Sequence, residues 1–96
     1  MKGGFVYIIS NSHNTVLYTG VTNDLLRRIQ EHRSGLNQDS FASKYNLHRL
    51  LYYEYSERIT DAIYREKQIK KWKREWKFNV IKEGNPALRD LFDELQ

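Results

Sequence analysis

Three side chains in this 96-residue chain have chemistry that sits awkwardly with their position, Arg28, His32 and Glu66, and two tyrosines, Tyr7 and Tyr18, bring hydroxyls from neighbouring β-rich runs. Arg28 and His32 stand four residues apart in "LLRRIQEH". A helix turns about 100° per residue, so both lie on or beside the apolar stripe of Leu25 and Ile29. Glu66 falls between Ile63 and Ile69, at the edge of the apolar arc of a later helical segment. A charge at such a place costs free energy unless it is paired or reaches water through a cleft. On the plain reading Arg28 and Glu66 pair with each other or extend along their stems to the surface, and His32 packs at an interface. The alternative is that Arg28 and Glu66 line a solvated cleft.

The tyrosines come from two β-rich runs, "FVYII" and "TVLYT", joined by an Asn/Ser-rich stretch. That pattern predicts a β-hairpin. With a four-residue loop, Asn11–Asn14, Ser10 pairs with Thr15 and Tyr7 pairs directly with Tyr18, which places both hydroxyls on one face. A slip of one residue would part them. The plain alternative is two packed rings with hydroxyls at the rim. Gly20 ends the second strand, where it permits a tight exit.

The remaining elements follow from periodicity and punctuation. Thr22 or Asn23 caps a helix running to about Arg33, with Asp24 in its first turn and Gly35 as a stop. Arg27, Glu31 and Arg33 are expected to point to solvent. Leu36–Asn46 reads as a loop and His48–Tyr55 as a third strand. Thr60 caps a second helix running to about Trp76, with Ala62, Ile69 and Trp76 in one stripe, flanked by Ile63. Asn85-Pro86 breaks the chain before an amphipathic helix over about 87–95. The expected fold is α/β (α+β): a three-stranded antiparallel sheet flanked by helices, in a single domain 1–96 with its core at about 5–79.

Composition narrows the function. Forty per cent of residues are hydrophobic and 14% aromatic, enough for a real core, and the net charge is +4. Between Tyr64 and Lys82 eight Lys/Arg face two acids, a local excess of +6. Such a block suits a polyanion, nucleic acid before membrane, although a solvated helix face would look the same. The absence of cysteine excludes disulfides, thiolate zinc sites and cysteine nucleophiles, and fits a reducing compartment. "FVYII" is too short for a membrane span or a signal peptide, so the expected location is cytoplasmic.

Taken in order, Tyr7 in "FVYI", Tyr18 and Gly20 in "YTG", Arg28 eight residues later, His32 four beyond that, and Glu66 on a later helix resemble the GIY-YIG nuclease domain, in particular its small stand-alone members. The likeness runs from about Phe5 to Asn79. The first triplet reads Phe5-Val6-Tyr7, and Thr19 replaces the isoleucine of the second. The resemblance implies phosphodiester hydrolysis at one divalent ion, Mg²⁺ or Mn²⁺, held by Glu66. Tyr7 would activate or position water, Tyr18 would orient the phosphate or that water, Arg28 would bind the phosphate, and His32 would assist proton transfer. Asn79 would support the site. Arg28 and the metal would favour the phenolate of a tyrosine whose ordinary pKa is about 10.

The implied partner is nucleic acid, DNA before RNA, with a role in DNA repair or recombination. It would be held by Lys67, Lys70, Lys71, Lys73, Arg74 and Lys77, with Lys44 and Tyr45 touching it from the loop. The chain would act as a monomer or homodimer. A non-catalytic nucleic-acid-binding module using the basic helix is the competing expectation.

Overall fold

A computed structural model describes residues 3–35 and 44–95. In chain order the elements are β1 (Gly4–Ser10), β2 (Leu17–Thr22), α1 (Leu25–Ser34), β3 (Arg49–Ser56), α2 (Ile59–Lys70), α3 (Arg74–Gly84) and a 3-10 helix (Leu91–Leu95). Residues 36–43 of the expected loop lie outside the described residues. The three strands form one antiparallel sheet, as the sequence pattern led one to expect, and the structure gives their order as β2-β1-β3. The apolar run "FVYII" takes the centre because a middle strand is covered on both faces. Tyr7 and Ile9 join Leu25, Ile29, Leu50 and Phe92 in one core, under α1 and the 3-10 helix. Val6 and Ile8 join Ala62, Ile69 and Ile81 in the other, under α2 and α3.

The hairpin register differs from the expected one. Tyr7 faces Gly20, Tyr18 faces Ile9, and Ser10 faces Leu17, so the connection is six residues long rather than four. Asn11 is the cause. Its Oδ1 accepts from the Thr15 N–H at 2.8 Å, and its Nδ2 donates to the Thr15 Oγ1 at 2.7 Å, which takes Thr15 out of the ladder. Arg74 donates to the Thr15 carbonyl at 2.6 Å, and Arg49 donates to the Asn14 side chain at 2.7 Å, clasping the loop from outside. The displacement is two residues, the period of a strand, so Tyr18 stays on the face of Tyr7, one diagonal step away.

The helices also depart from expectation. Asp24, rather than Thr22 or Asn23, is the N-cap of α1: it is extended, and its carboxylate accepts from the Arg27 N–H at 3.2 Å. Gly35 closes α1 in the left-handed conformation (φ 69°), as its position predicts. The long helix expected to reach Trp76 stops at Lys70. Backbone bonds from Lys71 to Gln68 (3.1 Å) and from Trp72 to Ile69 (3.0 Å) tighten its last turn, and α3 starts afresh at Arg74. The break lets Ile69 and Ile81 enter one core from two helices. Trp76, expected in the buried stripe, is 53% exposed, and Ile63 is 38% exposed. The stripe that is buried is Ala62, Glu66, Ile69.

At the C-terminal end the helix expected over 87–95 is the 3-10 turn Leu91–Leu95 alone. Two polar side chains shape the approach to it. Asn85 is buried, donating to the carbonyls of Leu51 (3.1 Å) and Arg89 (2.8 Å). Asp90 accepts from the backbone N–H groups of Leu50 (3.1 Å) and Phe92 (3.0 Å) and from Arg33 (2.8 Å). Arg33, expected in solvent, is held there over the ring of Phe92.

Candidate active site

Tyr7 comes from the central strand and lies across the neighbouring one. A Cβ on Gly20 would overlap the Tyr7 hydroxyl and ring, so the glycine is required by the close passage of that side chain over its backbone. The Tyr7 hydroxyl ends 2.9 Å from Nε2 of His32, which α1 brings back over the strands. His32 also stands edge-on to Tyr18, with ring centroids 6.2 Å apart. Over the Tyr18 ring, 5.7 Å from its centroid, stands the ammonium of Lys70. Lys70 in turn lies 2.8 Å from Glu66 Oε2. Contact therefore runs without a gap from Tyr7 through His32, Tyr18 and Lys70 to Glu66.

Arg28 borders this chain of contacts. Its Nη1 is 3.9 Å from Glu31, while its Nε is buried with no hydrogen-bond partner among the described residues. An unpaired buried donor is costly, and an anion would satisfy it. Arg28 and Glu66 do not pair with each other; Glu66 pairs with Lys70.

Burial raises the Tyr7 hydroxyl well above the ordinary tyrosine range, and Tyr18 adds to this; Arg28 pulls the other way, while Glu66 and Glu31 reinforce the rise. The expectation that cations would favour phenolate is thus reversed in the protein alone, because desolvation outweighs Arg28. His32 moves down from 6.5, by burial first and Arg28 second, against Glu31. At neutral pH the pair is therefore a protonated phenol and a neutral imidazole. With the imidazole proton on Nδ1, the Tyr7 hydroxyl donates to Nε2.

The other expected residues divide. Lys67, Lys71 and Lys73 are exposed. Arg74 is exposed but engaged with the hairpin loop, and Lys77 is half-buried, its ammonium pKa lowered by burial and by Arg74 and Lys70. Lys44 is exposed, above the ring of Tyr45. Asn79, expected to support the site, instead lines a shallow hollow with Arg65, Trp72 and Trp76 on α2 and α3. Sequence reasoning missed two members of the cluster. Glu31 was expected to point away, and Lys70 was read only as a nucleic-acid contact. Both were legible in spacing: Glu31 is three residues from Arg28, and Lys70 is four after Glu66, the intervals at which helical side chains meet.

No group of three His, Cys, Asp or Glu able to hold a metal occurs among the described residues. One recessed carboxylate, Glu66, is a hard oxygen donor suited to an ion such as Mg²⁺ that keeps most of its water.

The sheet and helices define a nuclease-type α/β fold with a phenol–imidazole contact at its polar end. The chain belongs to the GIY-YIG catalytic domain family, whose profile matches residues 3–79. It is similar to a UPF0213 protein of Syntrophus aciditrophicus, 36% identical over 84 residues that cover 88% of this chain and 95% of that one. A UPF0213 protein of Staphylococcus aureus is 35% identical over 83 residues, 86% of this chain and 99% of the other. The solution NMR structure of a UPF0213 protein from Bacillus halodurans superposes with a TM-score of 0.51 at 26% identity, covering 82% of each chain. No helix among the described residues is long and apolar enough to cross a membrane.

Proposed function

We propose that the protein is a divalent-metal-dependent endonuclease hydrolysing phosphodiester bonds in nucleic acid, DNA before RNA, in the service of repair or recombination. The observation that carries this reading is the 2.9 Å contact between Tyr7 and His32, bordered by the unpartnered Nε of Arg28. Its chemistry suits attack by water on a bound phosphate, the bond from phosphorus to one sugar oxygen breaking as the new P–O bond forms and the departing oxygen taking a proton from solvent. Tyr7, too weakly acidic to serve as phenolate unaided, accepts the water's proton as it hands its own to the neutral His32. Arg28 donates to a phosphate oxygen and stabilises the charge that develops there. Tyr18 orients the phosphate or the water. Glu66 would hold Mg²⁺ or Mn²⁺, which supplies positive charge to the phosphate. Lys67, Lys71 and Lys73 hold the backbone of the strand outside the site.

The test is a cleavage screen with Mg²⁺ and Mn²⁺ over labelled duplex, flap, junction and single-stranded substrates, beside Glu66→Ala and Arg28→Ala. Metal-dependent cleavage lost in both variants is the expected result; cleavage at the wild-type rate in either variant would refute the mechanism. A second reading, a non-catalytic binding module, is favoured by the occupation of Glu66 by Lys70. Salt-dependent binding with no cleavage on any of these substrates would select it.

A further inference from the structure

The ion pair on Glu66 bears on how a divalent ion could reach that carboxylate. Glu66 is 9% exposed, in the middle of the buried stripe of α2. A carboxylate there needs a positive partner, because desolvation of an unpaired charge is expensive. Lys70 supplies it, 2.8 Å from Oε2, in the Glu-before-Lys order at i,i+4 that favours the pair. The lysine side chain is itself 48% exposed, so its end is free to move on a four-carbon stem. In that same position the ammonium lies 5.7 Å from the centroid of the Tyr18 ring, within the range of a cation–π contact that does not depend on Glu66.

We infer that the Lys70 ammonium is the resident counter-cation of Glu66 and that a divalent ion binds by displacing it. This rests on the reading that Glu66 is the metal ligand. Mg²⁺ takes its oxygen ligands at about 2.0–2.1 Å. It cannot share Oε2 with an ammonium at hydrogen-bond distance without setting two cations side by side. The lysine therefore sets the metal affinity, weakening it when the site is otherwise empty. The displaced ammonium, still beside Tyr18, is positioned to meet a phosphate oxygen. A phosphate that takes Lys70 leaves Glu66 open to metal, and a metal that takes Glu66 leaves Lys70 open to phosphate. Metal and substrate then favour each other's binding by the same factor.

The experiment is Mn²⁺ binding to the full chain without nucleic acid, by calorimetry and by loss of free Mn²⁺ EPR signal, for wild type, Lys70→Gln, Lys70→Arg and Glu66→Gln. Thermal melts confirm that each variant is folded. Lys70→Gln should bind Mn²⁺ about tenfold more tightly than wild type, which corresponds to about 1.4 kcal/mol. Lys70→Arg should stay near wild type, and Glu66→Gln should lose the binding. If Lys70→Gln matches or falls below wild type while Glu66→Gln abolishes binding, the displacement is wrong and Glu66 remains the ligand. An equal gain in Lys70→Arg would also overturn it, since the charge would then not be what matters. If Glu66→Gln binds as wild type does, the metal-ligand reading falls and the inference falls with it.

Discussion

At the scale of single residues, the site depends on one side chain lying over one bare backbone. Gly20→Ala puts a methyl group where the Tyr7 ring passes, so the ring must shift and its hydroxyl leaves its present place against His32. A displacement of about 1 Å can cost on the order of 10²-fold in rate, and a loss of that size is expected in single-turnover cleavage. Tyr7→Phe keeps the packing and removes the hydroxyl, and should cost about 10²–10⁴-fold, with a thermal melt close to wild type. The acidity of the pair gives a pH prediction. His32 must be neutral to accept a proton, and its pKa lies below 6.5. Cleavage should therefore persist below pH 6.5 and fall only as His32 takes up its proton at lower pH. Tyr7 stays protonated through the alkaline range in which an ordinary tyrosine ionises, so its ionisation adds no loss near pH 10. A rate–pH profile with an acid limb centred above 6.5 would contradict this assignment.

At the scale of elements, Asp90 ties together pieces far apart in the chain. It binds the N–H of Leu50 on the outer strand β3, the start of the 3-10 helix, and Arg33 at the end of α1. Such a carboxylate occupies an N–H on the outer edge of the sheet. Burial would raise its pKa, but the hydrogen bonds from Arg33, Phe92 and Leu50 outweigh burial and hold it below the usual carboxylate range. The sign follows from linkage: the folded pKa is depressed, so this stabilisation is full above the unfolded value and lost as pH falls through the folded one. Asp90→Ala should lower stability at pH 7 by about 1–3 kcal/mol, since it strands partners in a half-buried place. Urea unfolding at pH 7 and again below pH 3 checks both parts, because the gap between wild type and variant should narrow in acid.

At the scale of the whole molecule, the basic excess is not one uniform surface. Arg74 clasps the hairpin, Arg65 is bonded to Glu54 at 2.6 Å, Lys70 faces Glu66 and Lys77 is half-buried, which leaves Lys82 near the end of α3, and Lys67, Lys71 and Lys73 on and just beyond α2, as exposed cations without such ties among the described residues; the last three lie together in sequence. Each phosphate contact contributes about 0.9 to the slope of log affinity against log salt on duplex DNA. Replacing these three lysines with alanine should reduce that slope by about 2–3, weaken binding alike for all sequences, and leave the melting temperature nearly unchanged. Binding measured across a salt series decides it. An equal slope in the variant would move the nucleic-acid surface elsewhere on the molecule.

Local chemistry alone determined much of this protein: three β-rich runs, the Gly35 stop, the basic block, and the spacing that sets Arg28 and His32 on one helix face. Those features depend on neighbours within a few residues, and strand and helix periods report them faithfully. The sequence also placed Tyr7 and Tyr18 on one face, although the register behind that placement was two residues off. Asn11 bonds its own loop, and no count of loop residues reveals that. Only the tertiary structure decided that α2 ends at Lys70, because a second helix had to turn back for Ile81 to reach the core holding Ile69. The packing of α2 put Glu66 inside the buried stripe with Ala62 and Ile69, and the turn left Trp76 in water. The acidity of Tyr7 and His32 was settled by packing as well, since desolvation depends on everything stacked around a group and not on the few charges a sequence places near it.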